Sequence, residues 1–338
     1  MRAFIFLCIS LLLLCMLSLL SGPATTWSEV WNVLAGDSPA VEFWINNSSL
    51  FELRLAHVTL ALCVGFALAS GGRAMQLFLQ NPLADPHIVG LSAGSTTLVL
   101  LCILLWPSFA ATYFFDFIPA IWIAAFVGSA LALVFVQLVF FGVVRRWGIA
   151  SLALAGLLIN AGCSALMMLI FARLSPAALS QVQAWTLGSI QPHSLSAVAL
   201  LAPLMLFSGV VLIRFDTPLR MLSFGSEFAI ANGVNVKRMR FVLLSSLMIL
   251  CATTVCASGS VGFVGLLIPH LSRRIFFHDH FAGIRPWLNA LLGATLLVLA
   301  DLCSRTLTTP IELPVGVYTA LLSTPFLFLV LFRQRSVQ

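Results

Sequence analysis

Few residues in this chain are equipped for chemistry, and their spacing excludes more than it suggests. His278 and His280, two apart in "FHDHF" at 277–281, come nearest to a metal-ligand pair, but at the basic-flanked end of an apolar run they read better as a solvated loop. The chain holds no HExxH, no GxSxG and no GxxxxGK[ST] sequence, and its single lysine is Lys237. ATP hydrolysis by the P-loop route would therefore have to be supplied by another chain. No catalytic and no metal-binding residue is assigned, and no cofactor is expected in the chain itself. The eight cysteines (Cys8, Cys15, Cys63, Cys102, Cys163, Cys251, Cys256 and Cys303) all sit in apolar stretches, and none forms a CxxC pair. They suggest neither a disulfide framework nor a zinc site, and read as small membrane-core residues.

The elements that must position any site follow from composition. Of 338 residues, 61% are hydrophobic and 8% charged, with a mean hydropathy of +1.08. Soluble domains carry about 25% charged residues, so an ordinary soluble enzyme is excluded. Apolar runs lie near 3–20, 54–78, 88–107, 118–142, 149–171, 194–213, 240–258, 262–276, 286–304 and 314–332. They are continuous rather than alternating, which predicts membrane-crossing helices and not a barrel. The fold class expected is an all-α polytopic membrane protein with about ten transmembrane helices, forming one domain over 1–338. The eighth run is short. The first resembles a signal peptide in having Arg2 before an apolar run that ends in "LSGPA", but a retained helix keeps the number of spans even.

Charge sets the orientation. With both termini in the cytoplasm, 14 of the 17 basic residues fall inside, and only Arg54, Arg173 and Arg305 fall outside. The reverse orientation would invert that split, against the positive-inside rule. Proton- or sodium-coupled carriers place ionisable residues mid-helix, and this reading finds no such carboxylate: Asp301 and Arg305 lie near an outer helix end, and Arg73 can snorkel inward.

Three further features carry information. The longest cytoplasmic loop, 214–240, contains Met221, Leu222, Phe224, Phe228 and Ile230, too apolar for an idle connector, and its "FGSEFAIANGV" at 224–234 predicts short helices broken at Gly233. Asn160, Ser164 and Met168, four apart on one apolar helix, are candidates for lining an uncharged pathway; helix packing explains the same spacing. "QNPLADPHIVGLSAGS" at 80–95 breaks the chain between two apolar runs, with Pro82 and Pro86 stopping one helix and starting the next. The topology puts its prolines and Asp85 at the cytoplasmic helix ends, shaping an inner gate region and not binding cargo, and gives His87 a structural role. A faint echo, Ala69-Ser70-Gly71 before Pro82 and Ala257-Ser258-Gly259 before Pro269, is compatible with an inverted repeat and with chance.

Five stretches in order resemble the FecCD-type permeases, the membrane subunits of ABC importers for iron-siderophores, haem and vitamin B12. They are "NPLADPHIVGLSAGS" at 81–95, "AWTLGS" at 184–189, "GVNVKRMR" at 233–240, "GFVGLLIPHLSR" at 262–273 and "ELPVGVYTALLSTPF" at 312–326. The resemblance covers roughly residues 50–332. It implies a type II ABC importer permease fold like that of the vitamin B12 importer, in a bacterial cytoplasmic (inner) membrane. It also implies a second permease subunit, two cytoplasmic ATPase subunits that hold ATP and Mg, and a periplasmic or lipid-anchored substrate-binding protein. The ATPase-docking loop of the family matches 223–236, with Gly225, Glu227, Ala231 and Gly233 the best-aligned positions. Arg54 and Arg305 match basic positions that dock the binding protein's acidic residues. The sequence departs from the "RLPR"-like motif at "RLAH", where Ala56 and His57 stand, which puts the strength and pH dependence of docking there in question.

The leading expectation is thus an iron-siderophore permease subunit, not itself an enzyme. A vitamin B12 or haem permease remains an alternative. A partner-independent secondary carrier is disfavoured by the missing mid-helix carboxylates, and a membrane-embedded enzyme by the missing nucleophile–base or metal motif.

Overall fold

The computed structural model describes residues 2–21, 48–114, 118–147, 150–175, 179, 182–183, 185–190, 195–275, 285–307 and 313–334. The His278–His280 pair lies outside the described residues. All ten apolar runs are helical: α1 (Arg2–Leu20), α2 (Ser48–Phe78), α3 (Leu91–Leu105), α4 (Ala120–Trp147), α5 (Ala150–Phe171), α6 (Leu195–Arg214), α9 (Val236–Ser258), α10 (Val264–Ile275), α11 (Arg285–Thr306) and α12 (Val315–Gln334). Two short helices, α7 (Asp216–Ser223) and α8 (Ser226–Ala231), occupy the long loop before α9, and Gly233 ends them with φ +80°. Of the ten, α2, α4, α5, α6, α9 and α11 are long and apolar enough to cross a membrane. The ten helices form an all-α polytopic bundle.

At 31 residues α2 is the longest element and the axis of the bundle, packed by α6, α9, α10 and α11. Its close neighbours are admitted by glycine. A Cβ on Gly72 would fall inside the backbone carbonyl of Gly265 on α10, and one on Gly65 would overlap Gly293 on α11. Between α3 and α4, Gly94 and Gly128 face each other in the same way. In lipid the apolar effect does not drive helix against helix, so close backbone approach at small residues supplies much of the packing attraction. The outer faces are correspondingly apolar: Phe6 and Leu12 of α1, Leu131 and Leu138 of α4, and Leu157 and Leu169 of α5 are all exposed.

The break at 79–90 departs from expectation. Pro82 is exposed beyond the end of α2, as the topology requires, but Asp85 and Pro86 are buried. Gln80 takes a left-handed φ of +52° and the chain turns back along α2. A Cβ built on Gly71 would touch Pro86, and one on Gly265 would lie 2.9 Å from Asp85 Oδ2 and 3.1 Å from the Leu68 carbonyl. Leu68 is ten residues before Phe78, roughly 15 Å back along the helix axis. The segment therefore re-enters the bundle and carries a carboxylate into an interior that the hydropathy pattern had left without one.

Candidate functional site

Where the chain re-enters, it meets three other breaks. Asp85 accepts from the His87 amide (2.9 Å) and so caps the 3₁₀ turn Pro86–Val89, with Pro86 at its first position. Gly90, at φ +81°, redirects the chain into α3. The Asn160 amide on α5 donates to the carbonyls of His87 (3.1 Å) and Ile88 (3.4 Å). His87 Nε2 donates to the Val261 carbonyl at 2.9 Å, in the extended link between α9 and α10. That link is in turn bonded to a third irregular segment, 185–190, through the Ser189 amide and the Ser258 carbonyl (2.8 Å). The start of α12 completes the ring: the Gly316 amide donates to the Gly188 carbonyl at 3.0 Å, and Thr319 Oγ1 to the Gly262 carbonyl at 3.2 Å. Non-helical backbone inside a membrane protein persists only where protein or cavity water satisfies its polar groups. Here the breaks satisfy one another.

They surround a cavity of about 830 Å³. Its walls are mostly apolar, from Ile88, Leu187, Leu266 and Val317 among others, with hydroxyl and amide groups from Thr96, Asn160 and Ser164. Of the expected pathway residues, Asn160 and Ser164 line this cavity and Met168 does not: it is 70% exposed on the outer face of α5, and Met167 takes the place instead. A spacing of four drifts around a helix of 3.6 residues per turn, so after two steps the third position has left the wall. His87 has the structural partner expected of it, and its ring also borders the cavity.

Phe263 also borders it and is strained. It is one of two described non-glycine residues with positive φ, at +69°, and its side chain is 43% exposed. A bulky side chain in this region costs about 1–2 kcal/mol. Phe263→Gly is therefore expected to be more stable than Phe263→Ala by about 1 kcal/mol, the reverse of the usual order. Both substitutions remove the ring, so a denaturation midpoint for each isolates the backbone term. Alanine being the more stable of the two would disprove the strain.

The outer arginines are placed differently from a partner-facing pair. Arg305 donates to Asp301 Oδ2 from Nε (3.1 Å) and Nη2 (2.7 Å), and reaches Ser18 Oγ at 2.5 Å and the Ser21 carbonyl at 3.3 Å. His57 Nε2 lies 2.8 Å from Asp301 Oδ1. Arg54 donates to the carbonyls of Leu19 (3.1 Å) and Leu20 (2.9 Å). Arg54, His57, Asp301 and Arg305 are all buried. The orphan carbonyls and the negative end of the helix dipole at the last turn of α1 thus attract two guanidiniums. Neither arginine is presented to a partner in this conformation.

In the long loop, Asp216 at the start of α7 pairs with Arg73 of α2 (2.5 Å) and Arg220 (2.8 Å), which ties α7 to the bundle. Beyond it Glu227, Ala231 and Gly233 are exposed and Gly225 is half-buried. A Cβ at Gly225 or Gly233 would meet nothing within 4 Å, so these glycines are there for their φ of +116° and +80° and not for space. Phe224 and Phe228 stack edge-to-face (5.7 Å) on the exposed side.

The sequence signal that marks the cavity is the Asp-Pro pair at 85–86, which reads as a cap and first residue of a helical turn. It marks the turn alone: the ring depends on contacts between distant segments, and Phe263 and Met167 carry no local signature.

A polytopic helical bundle whose broken helices enclose a mostly apolar cavity set with a few hydroxyl and amide groups has the architecture of a membrane permease. Comparison agrees: the FecCD transport family matches residues 10–333. The chain belongs to this family. It is 35% identical over 320 residues to the hemin transport system permease protein HmuU of Yersinia pestis, covering 92% of this chain and 89% of that one. It is 33% identical to the Fe(3+) dicitrate transport system permease protein FecD of Escherichia coli K12, covering 85% and 86%. A solved structure of an inward-facing ABC transporter of metal-chelate type superposes with a TM-score of 0.79 at 25% identity, covering 98% of both chains. Four of the five stretches that carried the resemblance meet at the cavity ring; the fifth, 233–240, follows the two short helices.

Proposed function

We propose that this chain is the membrane-spanning permease subunit of an ABC importer that moves an iron chelate across a bacterial cytoplasmic membrane, with both termini inside. The observation that carries this reading is the cavity ringed by four mutually bonded chain breaks, in a chain with no P-loop of its own. Relatives named for hemin and for ferric dicitrate support iron-bearing cargo. ATP and Mg belong to two partner ATPases, a second permease completes the pathway, and a substrate-binding protein delivers the cargo. Because Asp216 joins α7 to α2, movement of a docked ATPase against α7 and α8 would be passed to the axis of the bundle. Binding-protein docking is assigned to the outer ends of α1, α2 and α11, a surface that Arg54 and Arg305 brace from beneath.

The test is reconstitution in liposomes. Uptake of ⁵⁵Fe-chelate should require ATP, the ATPase and the binding protein together; transport by this chain alone would refute the reading. Glu227→Arg and Gly233→Val, both on exposed positions, should lower uptake more than tenfold and abolish co-purification of the ATPase while membrane insertion is kept. Normal co-purification in both variants would remove Gly225, Glu227, Ala231 and Gly233 from the docking surface.

A further inference from the structure

Charge in the cavity is one-sided. No lysine or arginine is among the described residues that line it. Asp85 is 7% exposed, and while its Oδ1 caps the 3₁₀ turn, its Oδ2 is buried with no hydrogen-bond partner. The nearest basic group, His87 Nε2, is 3.9 Å from Oδ1 and already donates to the Val261 carbonyl. Around them stand neutral groups: Ser92, Thr96, Asn160 and Ser164. A buried carboxylate oxygen without a partner is costly, and low surrounding polarity strengthens its attraction for a cation and its repulsion of an anion. A cargo covered in carboxylates would find no counter-charge on this wall. One that is neutral, or carries an ammonium group, would find hydroxyls, amides and apolar surface, with the field of one buried carboxylate behind the wall.

We propose that the cavity selects neutral or cationic ferric chelates over polyanionic ones, and that Asp85 is the residue that sets this preference. The inference rests on the iron-chelate reading and narrows it by the net charge of the chelate. Asp85→Asn is the informative variant, because an asparagine Oδ1 accepts from the His87 amide as the aspartate does, keeping the cap while removing the charge.

The experiment uses the complete complex in proteoliposomes, native or Asp85→Asn, with three ⁵⁵Fe probes: ferrioxamine B (cationic), ferrichrome (neutral) and ferric dicitrate (polyanionic). Native complex should favour the first two over dicitrate. In Asp85→Asn the ratio of ferrioxamine B to ferrichrome uptake should fall at least fivefold, and the ratio of dicitrate to ferrichrome should rise. Native preference for dicitrate, or unchanged ratios in the variant, would overturn the role of Asp85 and leave the iron-chelate reading standing. Uptake of none of the three by native complex would overturn this inference, and failure to take up hemin as well would refute the iron-chelate reading.

Discussion

Asp301→Ala is expected to destabilise the protein by roughly 3–5 kcal/mol, the cost of leaving a buried charge without its counter-ion. Both carboxylate oxygens of Asp301 are in use, Oδ2 by Arg305 and Oδ1 by His57, at 1% exposure. Removing it leaves the Arg305 guanidinium buried beside Arg54, with only Ser18 and the α1 carbonyls to hold it. The damage should spread to α1, whose last turn is held by these two arginines. Thermal unfolding of the purified protein should show a lower midpoint for Asp301→Ala and for Arg305→Ala. The double variant Asp301→Ala/Arg305→Ala should lose much less than the sum of the two losses, because one substitution removes the charge that the other strands. Additive losses would show that the pair is not coupled and that α1 is held by other contacts.

Gly72→Val should be the most damaging single substitution for transport, lowering uptake more than tenfold. At this crossing α2 meets α10 backbone to backbone, and the Cβ would occupy the Gly265 carbonyl. No rotamer change relieves a clash between main chains, so α10 must move, at about 1–3 kcal/mol or more for an overpacked site. Gly265 is also where Asp85 Oδ2 and Pro86 approach α10, so the same displacement shifts the re-entrant turn and the cavity wall. Uptake and unfolding midpoint should fall together. Native uptake by this variant would mean that the crossing yields freely and does not position the cavity.

Local patterning accounts for much of the architecture. All ten apolar runs are helices, and the boundaries at 20, 78 and 258 coincide with the residues read from hydropathy. The start of α9 was missed by four residues, because Asn235 caps a helix whose first turn is basic and not apolar. Helix α8 was legible in "FGSEFAIANGV" at 224–234, whereas α7, at Asp216–Ser223, lies before that stretch and was not. Glycine positions were visible, but not their partners: nothing near Gly72 in the chain points to Gly265, 193 positions away.

Membrane insertion and helix formation depend on residues close in sequence, so composition and hydropathy were enough to define the class, the elements and their number. Charge meeting charge depends on chain reversals. Read along the chain, Asp85 belongs with a water-facing turn, and Arg54 and Arg305 with a partner-facing rim. Folding buries all three. The left-handed Gln80 sends Asp85 back into the bundle, and the end of α1 covers the two arginines. Those arginine contacts join residues 34 to 287 positions apart, a separation that no local pattern encodes and that only the packed helices decide.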